Sequence, residues 1–99
     1  MSGQACAVPA LDELIAEHLE APFPQSVEKG RDYGEVDPVM IDADIYGWAL
    51  RAQRGTLASA DREELQADRN ALARSLLTFP DDARPYYARL VALADAALE

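Results

Sequence analysis

Cysteine is nearly absent from this chain of 99 residues, since Cys6 is its only one. A single thiol cannot form an intramolecular disulfide or a thiolate metal cluster, and this scarcity fits a reducing compartment. The stretch from Met1 to Pro9 has no basic residue and no long apolar run, and nowhere does an apolar run reach the roughly 18 residues that suggest a membrane span. We therefore expect no signal peptide and no membrane segment, and a cytoplasmic location.

Positive charge is also scarce, because 18 acidic residues oppose 9 basic ones and the formal net charge is −9. Residues 1–50 contain ten acids against Lys29 and Arg31, a net charge of −8, whereas residues 51–99 contain eight acids and seven arginines, a net charge of −1. Negative charge repels phosphate backbones and anionic lipids, so we expect no nucleic-acid or membrane partner. An acidic surface that docks a basic protein remains open.

Apolar residues, in contrast, make up 49% of the chain, which is too many for a disordered acidic segment. The length suits one domain. We predict a flexible leader over 1–9 and a single all-α domain over 10–99, built as a compact bundle or orthogonal array of four main helices. The predicted helices span about 10–20, 38–54, 59–77 and the segment from the turn at Pro80 to Leu98.

Two of these helices have clear signals at their ends. Asp37 followed by Pro38 is typical of an N-cap with proline at the first helical position, and Gly55 suits the end of the same helix. Ser59 is predicted to cap the third helix, whose first turns are acidic. Prolines and glycines between residues 21 and 37 indicate a long irregular connection.

The middle of the chain resembles a family of short uncharacterised bacterial proteins. The resemblance rests on Ala21-Pro22-Phe23-Pro24, on Val27-Glu28-Lys29-Gly30, on Tyr33-Gly34-Glu35-Val36-Asp37-Pro38-Val39-Met40-Ile41-Asp42-Ala43-Asp44-Ile45-Tyr46-Gly47-Trp48, and on the segment 80–87. It covers half of the chain and implies an all-helical fold. The family has no assigned activity, cofactor or catalytic residue to carry over.

The second predicted helix is apolar on two sides. At about 100° per residue, its apolar residues form two stripes that lie on nearly opposite sides of the helix. A helix of this kind is central in a small bundle, or buries one face in its own domain and the other against a second copy. We therefore favour a non-catalytic protein-interaction module that forms a homodimer or binds another protein. The first stripe comprises Ile41, Ile45, Trp48, Ala49 and Ala52, and the second Val39, Tyr46 and Leu50.

A second hypothesis is a small-ligand-binding protein or an enzyme. Its pocket would lie between the aromatic residues Tyr33, Tyr46, Trp48 and Tyr86 and the acidic loop over residues 30–37. Packing of these aromatic side chains in the core is the competing interpretation.

Arg69 occupies an unusual position, on the same face of the third helix as Leu65 and Leu72. Its aliphatic stem can cover apolar surface while the guanidinium reaches water. Alternatively, a partly buried guanidinium needs an acceptor, and Asp42 or Asp44 would supply an ion pair.

The carboxylates do not predict a metal site. Asp42 and Asp44 are two positions apart on a helix, so they point about 200° apart and cannot chelate one ion together. Asp32, Glu35 and Asp37 lack the spacing of a calcium-binding loop. Solvated acids and a helix cap explain them.

The single histidine, His18, lies on the apolar face of the first helix. A hydrogen-bonded histidine at the core boundary is the favoured interpretation over a catalytic base, because no second histidine and no serine motif accompanies it. The sequence therefore predicts no catalytic residue and no cofactor.

Overall fold

The computed structural model describes residues 11–99 and consists of four α-helices packed on one another: α1 (Leu11–Glu20), α2 (Pro38–Arg54), α3 (Ser59–Ser75) and α4 (Arg84–Leu98). A short 3₁₀ turn, Leu76–Thr78, extends α3. The predicted all-α fold of four main helices is confirmed. The predicted leader over 1–9 lies outside the described residues. Within 11–99, every helix is too short or too polar to cross a membrane.

The ends of α2 follow directly from its local sequence. The Asp37 carboxylate accepts hydrogen bonds from the backbone N–H groups of Val39 and Met40, both at 2.9 Å, which satisfies donors that a helix start leaves unpaired. At the other end Gly55 adopts a left-handed φ of 76°. The bounds of this helix agree with the prediction.

The start of α3 differs from the prediction, because Ala58 is the cap residue and Ser59 already lies in the helix. The Asp61 carboxylate reaches back and accepts a hydrogen bond from the Ala58 N–H at 3.2 Å. An acid at this third helical position satisfies the donor without a hydroxyl cap. The predicted Ser59 cap is therefore wrong.

The core lies between α2 and α4, which pack on each other and both contact α1 and α3. The outer helices α1 and α3 do not contact each other. Two side-chain pairs, His18 with Asp42 and Asp12 with Gln53, run in opposite directions along α1 and α2, so these two helices are antiparallel. The centre of the bundle is shared by α2 and α4, rather than formed by the second helix alone.

The connection over residues 21–37 contributes to the core. Tyr33 and Val36 form an antiparallel bridge and are both buried. The Tyr33 ring stacks on Phe79 at a centroid distance of 4.9 Å, and Phe79 stacks on Tyr87 of α4 at 4.1 Å. The irregular connection is thus held by an aromatic column that reaches the bundle centre.

Ser75 at the end of α3 forms hydrogen bonds that hold the 21–37 connection in place. Its hydroxyl accepts a hydrogen bond from the Glu35 N–H at 2.9 Å and donates one to the Ala71 carbonyl at 2.8 Å. Gly34 has φ 62°, and a Cβ at this position would lie 2.6 Å from the Ser75 Oγ. Only glycine fits this approach without rearrangement.

Candidate functional site

A groove of about 440 Å³ lies between α1, the segment that follows it, α2 and the start of α4. Its walls are largely apolar and include Leu19, Phe23 and Tyr46, whereas Lys29 at its edge lies 5.3 Å from the centroid of the Phe23 ring. Leu19 is 70% exposed. The groove is thus an open apolar surface with one cation beside it.

A polar network lines the same groove. The Asp42 carboxylate accepts a hydrogen bond from His18 Nε2 at 2.7 Å through one oxygen and from the Tyr86 hydroxyl at 2.5 Å through the other. An ionised carboxylate only accepts, so the geometry assigns a hydrogen to Nε2 of the ring. His18 Nδ1 is buried without a partner among residues 11–99. The predicted hydrogen-bonded boundary histidine is confirmed.

The electrostatics keep the Tyr86 hydroxyl of this network protonated. Burial, and then the hydrogen bond to Asp42, raise the pKa of Tyr86 above its usual range, so the hydroxyl remains a donor at neutral pH. Among the described residues that line the groove there is no serine, threonine or cysteine. The arrangement therefore fixes the relative positions of α1, α2 and α4 and presents two aromatic rings and a histidine to an occupant.

The outer face of α2 is the second exposed surface. Met40 is 58% exposed on this face, and Val39, which borders the groove, is 40% exposed. No other group lies within 4 Å of the position that a Cβ at Gly47 would occupy. Ile41 and Ile45, from the opposite stripe, are buried in the core. Tyr46 and Leu50 of the second stripe are half-buried against the core as well, so the outer face lies between the two apolar stripes.

A shallow hollow of about 200 Å³ interrupts this outer face, lined by Ala43, Asp44, Gly47, Trp48 and Arg51. The Arg51 guanidinium lies 5.3 Å from the centroid of the Trp48 ring and 3.4 Å from an oxygen of Asp61. Asp44 is exposed and forms no ion pair within the described part of the chain. The hollow therefore has an anion on one side and a cation on the other.

Asp68 of α3 lies beside this hollow. Burial, and then the negative charge of Asp44, raise its pKa, an effect that Trp48 partly offsets. The Trp48 indole nitrogen is nevertheless buried without a hydrogen-bond partner among the described residues, so the two groups are close but poorly aligned. Asp44 and Asp68 thus place two carboxylates close together at this edge of the outer face.

The four aromatic residues predicted to form one pocket do not do so. Tyr46 and Tyr86 line the α1–α2 groove, whereas Trp48 lines the hollow on the outer face of α2. Tyr33 is buried against Phe79, far along the aromatic column, and the 30–37 loop lines neither cavity. The predicted pocket is corrected to the groove, which Tyr33 and Trp48 do not line.

The predicted ion pair of Arg69 is also corrected. Its Nε donates to Asp95 of α4 at 2.8 Å, and its Nη1 to Asn70 at 3.3 Å. Asp42 is engaged by His18 and Tyr86, and Asp44 lies on the outer face of α2. Arg69 pairs with α4 because α3 and α4 pack side by side at this level, which helical spacing alone did not reveal.

Two of the three acids of the 30–37 loop, Glu35 and Asp37, have structural partners, whereas Asp32 is exposed. Both Glu35 oxygens accept from Arg74, at 2.7 and 2.8 Å, which lowers the pKa of the Glu35 carboxyl. Asp37 caps α2. Nowhere between residues 11 and 99 do three or more potential ligands from histidine, cysteine, aspartate and glutamate gather in an arrangement that holds a metal ion.

Comparison with known proteins gives no relative: no protein-family model, curated protein or solved structure matches the chain. The resemblance to short bacterial proteins thus stays a prediction.

Proposed function

We propose that the protein is a non-catalytic helical interaction module that self-associates in the cytoplasm. The observation that supports the proposal is the exposed outer face of α2, where the Met40 side chain is 58% exposed on the same side of the helix as the open position of Gly47. Val39, 40% exposed, extends the apolar surface to the edge of the groove. Burial of apolar surface contributes about 25 cal/mol per Å², so covering this face favours association.

The distribution of charge favours self-association through α2 rather than through α1. Helix α1 contains four acids and neither lysine nor arginine, so two copies that met through α1 would repel each other. Helix α2 contains Asp42 and Asp44 against Arg51 and Arg54, and its formal charge is zero. Two copies can approach through α2 without this penalty.

Sedimentation equilibrium over a wide range of protein concentration tests the proposal. We expect a concentration-dependent dimer of the 10.8 kDa chain, weakened by Met40→Glu. Leu77→Glu is the matched control, because Leu77 is 81% exposed at the end of α3, away from α2. A monomer at every concentration would contradict self-association.

The groove supports a second candidate function, the binding of a small aromatic or apolar ligand. Its volume, its apolar walls and the unpaired His18 Nδ1 favour it, since a ligand donor that reached this nitrogen would satisfy a buried acceptor. A thermal-shift screen of small aromatic compounds tests it. A hit should be lost in Tyr46→Ala and kept in Trp48→Ala, because only Tyr46 lines the groove. A hit unaffected by Tyr46→Ala, or no hit at all, counts against this candidate.

A further inference from the structure

We infer that two copies of the chain pair through the outer faces of their α2 helices, in antiparallel orientation, with the helices crossing at Gly47 and Asp44 of each copy facing Arg51 of the partner subunit. This inference rests on the proposed self-association and specifies its geometry. It joins three features of α2: the order of its charges, the spacing of its exposed residues and the open space at its middle.

The charges of α2 are ordered along its axis. The exposed acid, Asp44, lies in the first half, and both arginines, Arg51 and Arg54, lie in the last turn. Asp42 faces the groove, where it is engaged by His18 and Tyr86, and does not contribute to the outer face. An antiparallel pair places the acidic half of each helix against the basic half of the other, whereas a parallel pair places like charges together. In an antiparallel pair the two helix dipoles also point in opposite directions, which is favourable. The charge order therefore selects the antiparallel pair.

The spacing of the exposed residues suits a crossing at Gly47. Asp44 lies three residues before Gly47 and Arg51 four residues after it, so in an antiparallel pair they come within one residue of direct opposition. Met40 and Arg54 lie seven residues to either side, and the stem of Arg54 can cover the Met40 side chain of the partner subunit. These positions follow the alternating spacing of three and four residues by which two helices make contact.

The surface at the crossing is open enough for a second helix. Nothing lies within 4 Å of the position of a Cβ at Gly47, and the neighbouring Ala43 is also small and exposed. Small residues at a crossing let two helix axes approach closely. The hollow lined by Ala43 and Asp44 then gives room for a side chain of the second copy.

Arg51 is free to change partners. Its side chain is 54% exposed, and its distance of 3.4 Å to Asp61 is long for a charge-assisted hydrogen bond. Asp44 is exposed, has no ion pair among the described residues and lies close to a second carboxylate, Asp68. An arginine from a second copy would neutralise this charge on both sides of the crossing.

Charge reversal followed by sedimentation equilibrium tests the geometry. Asp44→Arg and Arg51→Asp should each raise the dimer dissociation constant by about tenfold or more, because each places like charges together twice per dimer. The double variant should recover much of the wild-type affinity. Far-UV circular dichroism and thermal melting of each variant verify that the monomer remains folded.

A second variant probes the crossing point without changing charge. Gly47→Gln should weaken the dimer, while the helix propensity of the monomer improves. Ala67→Gln is the matched control, because it places the same side chain at an exposed small residue of α3. It should leave the dissociation constant unchanged.

The outcomes separate the two proposals. A wild-type chain that stays monomeric contradicts self-association and the inference together. A dimer that ignores both charge reversals and Gly47→Gln overturns the inference alone, as does a double variant that binds no better than the single ones.

Discussion

The two faces of α2 differ in how far they are buried. On the inner face, Ile45 and Ala49 are completely buried against the other helices. On the outer face, Met40 is exposed and Gly47 leaves open space. The inner face is buried within the chain, whereas the outer face is exposed and is the surface at which we propose self-association. The effects of substitutions on the free energy of unfolding should therefore differ in sign and in size between the two faces.

The largest effect is expected on the inner face. Ile45→Ala leaves a cavity at a fully buried position and should lower the free energy of unfolding by about 2–5 kcal/mol. Val39→Ala is the control on the outer face of the same helix and should cost far less. Urea unfolding at a low protein concentration measures both. Equal losses of unfolding free energy in the two variants would show that the two faces do not differ in burial.

The next effect concerns two acids that are neighbours in sequence but differ in environment. Asp42→Asn weakens the hydrogen bonds with His18 and Tyr86 and should cost about 1–3 kcal/mol of unfolding free energy, the usual penalty for an impaired buried bond. Asp44→Asn, on the exposed side, should stay within about 0.5 kcal/mol. If the two variants unfold alike in urea, the network does not stabilise the bundle.

A gain in stability is expected from a substitution on the outer face. Gly47→Ala should raise the stability of the monomer by about 1 kcal/mol, because alanine favours the helix and a Cβ meets no neighbour here. Gly55→Ala is the opposite case and should destabilise, since Gly55 has φ 76°. Thermal melting at a concentration below dimer formation compares the two, and a loss of stability in Gly47→Ala would contradict an open outer face.

The smallest effect is expected at Asp68, beside the outer face. Because its folded pKa is raised, its contribution to stability is fully present below the unfolded pKa of about 3.9 and is lost as pH rises through the folded pKa. Asp68→Asn should remove this pH dependence and raise stability at neutral pH by no more than about 0.5 kcal/mol. Melting curves between acidic and neutral pH measure it, with Asp95→Asn, which breaks the pair with Arg69, as a variant of opposite sign. If the stability of Asp68→Asn depends on pH in the same way as that of the wild type, the pKa of Asp68 is not raised in the folded state.

Part of the site was predictable and part was not, for a reason that particular residues show. The apolar stripes of α2 and the boundary position of His18 follow from helical spacing, and the structure confirms them. The partners of His18 and Arg69 do not follow, because the first lies 24 residues away and the second 26 residues away. Helical spacing gives the direction of a side chain about its own axis but not which other helix lies there.

The sequence by itself determined the all-α fold, the ends of α2 and the acidity of the first half, because caps, apolar periodicity and charge are properties of neighbouring residues. The tertiary structure alone decided that α2 and α4 share the centre, that Asp42 joins His18 to Tyr86, and that Tyr33 enters the core. It also decided how far each stripe of α2 is buried. Both stripes were apolar, and both pack against the core, the first through Ile41 and Ile45 and the second through Tyr46 and Leu50. The exposed face with Met40 and Gly47 lies between them, because the packing of the other helices, and not helical spacing, decides which directions around α2 are covered.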